Sequence, residues 1–177
     1  YGVKLVIKRM ADIIAGLIGT LTLLPLYCII KICYVKNHDF SPIFFKQYRI
    51  GKDGRRIAIY KFRSMIPNAE AELERLMRED EKIQKEYLKN KKLKNDPRIT
   101  KIGKFLRKTS LDEFPQFFNV LRGNMSFVGP RPYLPREKKD MGNGYSEIIK
   151  VKPGITGPWQ VSGRSNVSFK KRVKMDV

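Results

Sequence analysis

The feature that most constrains this chain is an apolar run near its start, ADIIAGLIGTLTLLPLYCIIKICYV, which covers Ala11–Val35. Its central part, Ile13–Ile30, contains 18 residues without a charge, which is near the lower limit for a helix that crosses a bilayer. No small-residue cleavage site follows, so the run does not fit a signal peptide. Pro25 lies inside the run, and because proline lacks the backbone N–H it predicts a kink or a break in the helix.

Basic residues flank the uncharged stretch on both sides. Positive charge favours the cytoplasmic side of a membrane, so a straight helix would place one basic group on the unfavourable side. A helix that bends at Pro25 and returns to the same face would keep both groups inside. That hairpin and an ordinary spanning helix with a mild kink both remain open at this point. The flanking residues are Lys4, Lys8 and Arg9 before the stretch, and Lys31, Lys36 and Lys46 after it.

Charge and composition limit the chemistry. The chain carries 37 basic and 17 acidic residues, a formal net charge of +20, which predicts a polyanionic partner: nucleic acid, an anionic membrane or phosphorylated substrates. His38 is the only histidine, which argues against a His-based metal site or a Ser-His-Asp triad. Cys28 and Cys33 form no disulfide framework or zinc signature, so we expect reduced thiols in a protein on the cytosolic side.

The rest of the sequence predicts an α+β fold with a small antiparallel sheet. Ile43–Ile50 and Arg56–Phe62 are β-rich runs around a turn signal and predict a hairpin. The segment PNAEAELERLMREDEKIQKEYLKNKK predicts one amphipathic helix after Asn68, with its charges on a solvated face. A short helix should follow Thr100 and another should lie around Glu137–Lys150, with mostly turn and loop beyond it.

Two adjacent acids stand in a basic and apolar neighbourhood, KTSLDEFPQFFNVLRG. Ser110 lies three residues before Glu113, as in a capping box, and in another register Asp112 is itself the N-cap. Both registers put the acids at a helix N-terminus, where the free N–H groups and the helix dipole favour an ionised carboxylate. Plain capping therefore remains an alternative to a chemical role. The helix that follows is apolar enough to suit a core wall or a membrane interface.

The same region also contains the residue types that phosphoryl transfer needs. An ionised Asp can attack phosphorus to form an acyl phosphate, and a neighbouring Glu can hold Mg²⁺ together with substrate phosphates. Arg131 lies between Pro130 and Pro132, whose fixed φ angles position it, and its planar fork suits phosphate. Its alternative role is a structural tie. The sequence has no P-loop and no GxGxxG motif, so a nucleotide kinase or Rossmann site is unsupported.

With these motifs the chain resembles the bacterial sugar transferases, monotopic phosphoglycosyl transferases that begin glycan assembly on polyprenol phosphate. The resemblance covers nearly the whole chain. It is carried by KRMAD, the proline-interrupted apolar run, IYKFRSM, KTSLDEFPQFFNVLRGNMSFVGPRP and VKPGITGPWQVSGRSNVSFKKRVKMDV. The Leu-Asp-Glu and Val-Gly-Pro-Arg-Pro motifs are specific in combination, whereas either alone is weak.

The resemblance implies a ping-pong reaction. Asp112 would attack the β-phosphate of a UDP-sugar and release UMP, and polyprenol phosphate would then take the phosphosugar from the enzyme. Glu113 would be the ligand of Mg²⁺. The other site residues implied are Lys61, Arg107 and Arg131 as phosphate-contacting or active-site bases, Arg164 near the nucleotide, and Asp176 as an acid near the site.

The resemblance also implies a location. Residues 1–36 would form a re-entrant membrane helix broken at Pro25 with Arg9 at its basic flank, and residues 37–177 a catalytic domain on the cytoplasmic face of the bacterial inner membrane. Relatives usually continue with more helix, so we expect the C-terminus to be incomplete. Family members often carry Ser before the break proline; here that residue is Leu24, and Thr22 is the hydroxyl one turn away.

Two other classes of function fit parts of the sequence. A basic nucleic-acid-binding module would use the net charge, but it leaves the apolar run unexplained and the sequence shows no recognition motif; we expect no nucleic-acid partner. A non-enzymatic membrane scaffold leaves the paired acids and the Pro-Arg-Pro motif without a purpose. Anionic lipids are expected partners because of the net charge. A homo-oligomer is compatible with the sequence, which does not define the oligomeric state, the sugar or the pathway.

Overall fold

The structure is a computed structural model that describes residues 2–161 and 167–177. Its described part is mixed, with mainly short helices and two two-stranded sheets. The helices are α1 (Gly2–Leu21), α2 (Leu23–Lys36), α3 (Ala69–Glu79), α4 (Glu81–Asn90), α5 (Lys101–Thr109), α6 (Gln116–Leu121), α7 (Lys138–Met141), α8 (Gly144–Ile148), α9 (Pro158–Val161) and α10 (Phe169–Asp176). The strands are β1 (Phe44–Ile50), β2 (Arg56–Phe62), β3 (Ser126–Val128) and β4 (Gly154–Thr156), and short 3₁₀ helices lie at Lys52–Gly54, Leu111–Glu113 and Pro135–Glu137.

The predicted hairpin is confirmed almost residue for residue. Strands β1 and β2 pair antiparallel, from Phe44 opposite Phe62 to Ile50 opposite Arg56. Side chains alternate between the two faces of a strand, so the register assigns every side chain to one face of the hairpin. Phe45 stands opposite Lys61, and Arg49, four residues along β1, lies on the same face.

The apolar run forms one long bent helix whose interruption lies at Thr22, three residues before Pro25. The predicted bend at Pro25 is confirmed, because proline disturbs the helical turn that precedes it and the interruption lies within that turn. Pro25 has no N–H to donate to the carbonyl of Leu21 four residues earlier, and its ring crowds that carbonyl, so the helix bends there. Thr22 Oγ1 donates to the carbonyl of Gly19 at 2.9 Å, which gives this hydroxyl a role at the bend.

Both arms of the bent helix contact the rest of the described chain. On α1, Gly16 and Gly19 allow α6 to approach closely: a Cβ on Gly19 would lie 2.1 Å from the ring of Phe117. Near the end of α2, Ile30 and Tyr34 are buried in a cluster with β2 and α5. Most of the remaining apolar side chains of the helix are exposed, among them Val6, Ile7, Ile14, Ile18, Leu21, Leu24, Ile29 and Ile32. Residues Gly2–Lys36 are long and apolar enough to cross a membrane, with a mean hydropathy of 2.3 over their most apolar window.

Two predicted helices are each divided. The helix expected after Asn68 splits at Asp80, which has an extended backbone and accepts hydrogen bonds from the amides of Lys82 and Ile83. An acid in this role starts a new helix, α4. The helix expected around Glu137–Lys150 is divided into α7 and α8 at Gly142, whose φ of +55° favours glycine.

Strands β3 and β4 form a short parallel pair, although the sequence predicted turn and loop around β4 and no strand at β3. Ser126 pairs with Gly154, and Val128 with Thr156. The pairing continues beyond the strands, because the amide of Gly154 donates to the carbonyl of Pro130 at 2.8 Å. The segment that leads into the Pro-Arg-Pro motif is thereby fixed against the C-terminal part of the chain.

Candidate active site

The paired acids lie in a one-turn 3₁₀ helix, Leu111–Glu113, between α5 and α6. Ser110 precedes them in the left-handed region, with φ of 60°, and its side chain forms no capping hydrogen bond. No side chain caps α6 either, since the residue at its N-cap position is Pro115. The capping box and the alternative Asp112 cap are both wrong. The local backbone therefore gives no structural reason for two carboxylates at this place.

Asp112 is the buried member of the pair, with 8% of its surface exposed. Burial raises the pKa of its carboxyl, the neighbouring Glu113 raises it further, and the positive charges of Lys61 and Arg107 oppose the rise. The sequence had suggested that a helix N-terminus would favour the ionised form. Burial prevails instead, because a three-residue turn offers little dipole and desolvation disfavours the charge. A carboxylate with a raised pKa is more basic, and hence a better nucleophile once it is ionised.

Glu113 is more open and is paired with Lys61. Lys61 Nζ lies 2.7 Å from Glu113 Oε1, and about a third of the Glu113 side chain is exposed. Burial alone would raise the pKa of Glu113, but the charge and hydrogen bond of Lys61, together with the charges of Arg131 and Arg49, bring the pKa below its usual value. The two acids thus have pKa values pushed in opposite directions, which is the pattern of carboxyl groups with separate tasks.

Lys61 and Arg107 lie near the pair through different elements. Lys61 projects from β2 on the face that meets the acid-bearing turn. Arg107, on the last turn of α5, donates from Nε to Ser64 Oγ at 2.8 Å. Gly103 allows α5 to lie this close to the end of β2, since a Cβ there would be 1.8 Å from the Ser64 carbonyl oxygen. Both predicted bases are therefore among the cations around Asp112.

The Pro-Arg-Pro segment is fixed by Asp176. Asp176 Oδ2 accepts from the amide of Arg131 at 3.1 Å and from the hydroxyl of Tyr133 at 2.8 Å. Tyr133 is buried with Phe169 and Val173 of α10 in one apolar cluster, which brings the acid to the motif. Asp176 thus holds the main chain at Arg131, and this contact defines its position.

Arg49 is a site residue that the sequence reasoning missed. It is 8% exposed, and its Nη1 donates to the carbonyl of Pro132 at 3.0 Å. Burial, reinforced by the charge of Arg131, lowers the pKa of Arg49 to about 9, so it remains a cation at neutral pH. The alternation of Phe45, Gln47 and Arg49 along a predicted strand was the signal that could have placed it on the face of Lys61.

Three predicted residues are not among the contacts described above. Arg164 falls outside the described residues. Arg9 donates to the carbonyls of Val120 and Leu121, both at 2.9 Å, so it ties α1 to the C-terminal end of α6. Pro25 is in α2, apart from the acids. Two further ties between α1 and β3 were not predicted: Asp12 accepts from the amide of Phe127, and Lys8 donates to the carbonyl of Val128.

The donor set fits a magnesium ion bound in part by the substrate. Within residues 2–161 and 167–177 no cluster of three or more His, Cys, Asp or Glu side chains could hold a metal by itself. Mg²⁺ is commonly held by one or two carboxylates plus substrate phosphates. Glu113 is partly exposed and has one carboxylate oxygen engaged by Lys61, so its second oxygen is suited to such an ion.

Comparison with known proteins places the chain in a family. A family model described as Bacterial sugar transferase matches residues 3–177. The UDP-galactose-lipid carrier transferase of Erwinia amylovora is 45% identical over 170 residues, which are 96% of this chain and 35% of that protein. The undecaprenyl-phosphate galactose phosphotransferase of Salmonella typhimurium is 43% identical over the same shares. The exopolysaccharide production protein ExoY of Rhizobium meliloti is 39% identical over 96% of this chain and 74% of its own length.

The chain belongs to the bacterial sugar transferase family. It spans about a third of the length of the first two relatives and about three quarters of ExoY. The resemblance drawn from its motifs is confirmed.

Proposed function

We propose that this protein transfers a sugar-1-phosphate from a UDP-sugar to polyprenol phosphate, as the first membrane step of a bacterial glycan assembly. The names of the relatives from Erwinia and Salmonella support a nucleotide-sugar donor and a lipid-phosphate acceptor. The observation that carries the proposal is the pair of acids: they cap no helix, yet one is buried among cations and the other is paired with Lys61.

The proposed reaction has two displacements at the same phosphorus. An ionised Asp112 oxygen attacks the phosphorus that bears the sugar, a P–O bond forms, and the bond to UMP breaks with its electron pair leaving on UMP. In the second step an oxygen of polyprenol phosphate attacks this phosphorus, and the Asp112 carboxylate leaves. The products are polyprenol-diphospho-sugar and the free enzyme. Each step replaces one anhydride bond at this phosphorus by another, so no oxidant or further reactant is needed.

The surrounding residues have separate tasks in this scheme. Lys61 keeps Glu113 ionised and adds positive charge beside the reacting phosphate. Arg131 is held by Asp176 in a position suited to a phosphate oxygen. Glu113 would be the protein ligand of Mg²⁺, which when bound neutralises developing negative charge on the phosphates.

We infer a re-entrant, rather than spanning, arrangement for residues 2–36. Lys8, Arg9 and Asp12 near one end of the bent helix, and Tyr34 near the other, all contact the same body of the protein. A helix that crossed the bilayer would separate these ends by the membrane thickness. The exposed apolar side chains lie between them, where lipid would cover them. Residues 37–177 would then lie on the cytoplasmic face of the inner membrane, where nucleotide sugars are found.

Cysteine accessibility tests this topology. In a chain carrying Cys28→Ala and Cys33→Ala, single cysteines introduced at Lys4 and at Asn37 should both react only with reagents that reach the cytoplasm. Labelling of either position from the periplasm would contradict the hairpin and support a spanning helix.

Release of UMP tests the activity. Purified protein in detergent or lipid discs is given UDP-galactose, UDP-glucose or UDP-N-acetylglucosamine, with Mg²⁺, in the presence and absence of polyprenol phosphate. One donor should give repeated turnover only with the lipid present. Failure of every UDP-sugar to release UMP, together with salt-sensitive binding to DNA or RNA, would favour the basic binding module instead.

A further inference from the structure

Arg49, Arg63 and Arg98 are three of the four arginines buried in the described chain, and they differ in what neutralises them. Arg98 grips Asp96 through Nε and Nη2, at 2.8 and 2.7 Å, and Arg63 pairs with Asp39 at 2.9 Å. Arg49 is equally buried but contacts only uncharged acceptors, the carbonyl of Pro132 and the side-chain oxygen of Gln47. Its Nε is buried and has no hydrogen-bond acceptor among the described residues.

The position of Arg49 suggests why it has no carboxylate in contact with it. It lies on the hairpin face that carries Lys61, and its hydrogen bond to Pro132 joins that face to the Pro-Arg-Pro segment. The positive charges of Arg131 and Arg49 both lower the pKa of Glu113. Arg49 is therefore close to both the acids and the motif, and although the charges of Glu113 and Glu137 act on it, neither acid forms an ion pair with it within 4 Å in the described chain. A buried cation without a carboxylate partner is unfavourable unless a ligand supplies the counter-charge.

We propose that Arg49 is a phosphate-binding residue, whose Nε edge receives an oxygen of a substrate phosphate beside the Pro-Arg-Pro segment. This edge of the guanidinium consists of Nε and Nη2. In Arg98, the same two atoms donate to the carboxylate of Asp96. In Arg49, Gln47 takes one of the two Nη2 hydrogens, so the second hydrogen and Nε–H both remain as donors. A phosphate offers two oxygens at the spacing this fork requires. The identity of the phosphate as part of a substrate rests on the proposed function.

Thermal unfolding with inorganic pyrophosphate tests the subsite without any reaction. Pyrophosphate should raise the melting temperature of the wild-type protein, because a ligand that binds only the folded state stabilises it. Arg49→Gln should lose most of that rise. Arg56→Gln is the matched control: it removes one positive charge from the other face of the same hairpin, where Arg56 stacks on Tyr48, and should keep the rise.

Two results with wild-type protein and Arg49→Gln would overturn the proposal. One is a wild-type protein that pyrophosphate does not stabilise. The other is Arg49→Gln with a lower melting temperature but the full pyrophosphate-induced rise, which would mean that Arg49 only holds Pro132. Should Arg49→Gln fail to fold, Arg49→Lys keeps the charge and loses the fork. Its apparent affinity for pyrophosphate should fall about 10-fold, the scale of one charge-assisted hydrogen bond; unchanged affinity would also overturn the proposal.

The two half-reactions identify which phosphate is bound. If Arg49 holds the diphosphate of the nucleotide sugar, Arg49→Lys should raise the UDP-sugar concentration needed for UMP release in the absence of lipid. If it holds the lipid phosphate, that step should be unchanged and transfer to polyprenol phosphate should slow. A variant normal in both steps would contradict the inference. The wild-type protein could also process no UDP-sugar while the Arg49 variants lose the pyrophosphate effect. That combination would support the phosphate subsite and reject only the proposed reaction.

Discussion

Asp96 and Asp112 are both buried acids on short turns, but their surroundings differ. Asp96 is held by Arg98 through two parallel hydrogen bonds, and the same arginine reaches the carbonyl of Ala69 at the start of α3. Asp112 is 8% exposed and has no ion pair within 4 Å in the described chain, although Lys61 and Arg107 act on it from a greater distance. Asp96 is therefore part of a structural ion pair, whereas the carboxylate of Asp112 is not engaged by a neighbouring cation.

The difference separates charges that maintain the fold from charges that await a substrate. At the structural site every buried charge has its counter-charge within the protein. Around Asp112 and Glu113, Lys61 is paired, whereas Arg49 is buried with uncharged acceptors only. Such a distribution is unfavourable for the empty protein and becomes favourable when phosphates enter. The comparison therefore predicts that changes at the two sites will affect different measurements.

The largest effect is expected from Asp112→Asn. An amide cannot replace a carboxylate as a nucleophile toward phosphorus, so steady-state UMP release should fall by about 10⁴-fold or more, as when other enzymes lose their nucleophile. Asp96→Asn is the matched change at the structural site, and the fraction that folds should retain near wild-type turnover. Comparable turnover loss in both folded variants would remove the distinction.

The free energy of unfolding should change more on substitution of Asp96 than on substitution of Asp112. Breaking a buried ion pair on one side leaves an uncompensated charge, so Asp96→Ala should lower the free energy of unfolding by about 3–5 kcal/mol. The pKa of Asp112 is raised in the folded protein, which means that folding disfavours its charge; Asp112→Asn should leave the stability unchanged or increase it at neutral pH. Denaturant unfolding measures both. A strongly destabilised Asp112→Asn would show that this acid is structural after all.

A smaller loss is expected when the geometry of one cation is changed. Arg131→Lys keeps the charge but not the planar fork, and should slow turnover by about 10²-fold, the scale of one lost transition-state hydrogen bond. Arg63→Lys, at a structural pair, should change stability and not the rate of the folded enzyme. Near wild-type turnover in folded Arg131→Lys would mean that the residue only ties the loop to Asp176.

The smallest effect is a shift along the pH axis. Lys61 lowers the pKa of Glu113 and opposes the rise in the pKa of Asp112, so Lys61→Met should raise both pKa values. Because both acids act in their ionised form, their contribution is present above these pKa values and is lost as the pH falls through them. The acid limb of the kcat/KM profile should therefore move upward by about one pH unit or more. Lys46→Met, on the opposite face of the hairpin, should leave the limb in place, and a shift of equal size there would point to bulk charge.

Much of this contrast could be predicted from local sequence. The strand bounds follow from alternation and turn residues, and the acids stood out because they are adjacent in a basic, apolar segment. Their lack of a capping role could not be predicted, because Ser110 adopts a left-handed backbone conformation that tertiary packing imposes. Arg49 escaped notice because its importance depends on Pro132, 83 residues away. The division at Asp80 could have been predicted, because an Asp is a common N-cap residue, but the amphipathic pattern continues across it and predicted one helix.

The most direct test of the central claim is the intact mass of the protein after incubation with its UDP-sugar and Mg²⁺ in the absence of lipid. The wild-type protein should gain the mass of one phosphosugar, mapped by fragmentation to Asp112, and should lose it when polyprenol phosphate is added. Asp96→Asn should gain the same mass, and Asp112→Asn should gain none. An adduct that persists in Asp112→Asn, or turnover with lipid but no adduct in the wild type, would contradict the account.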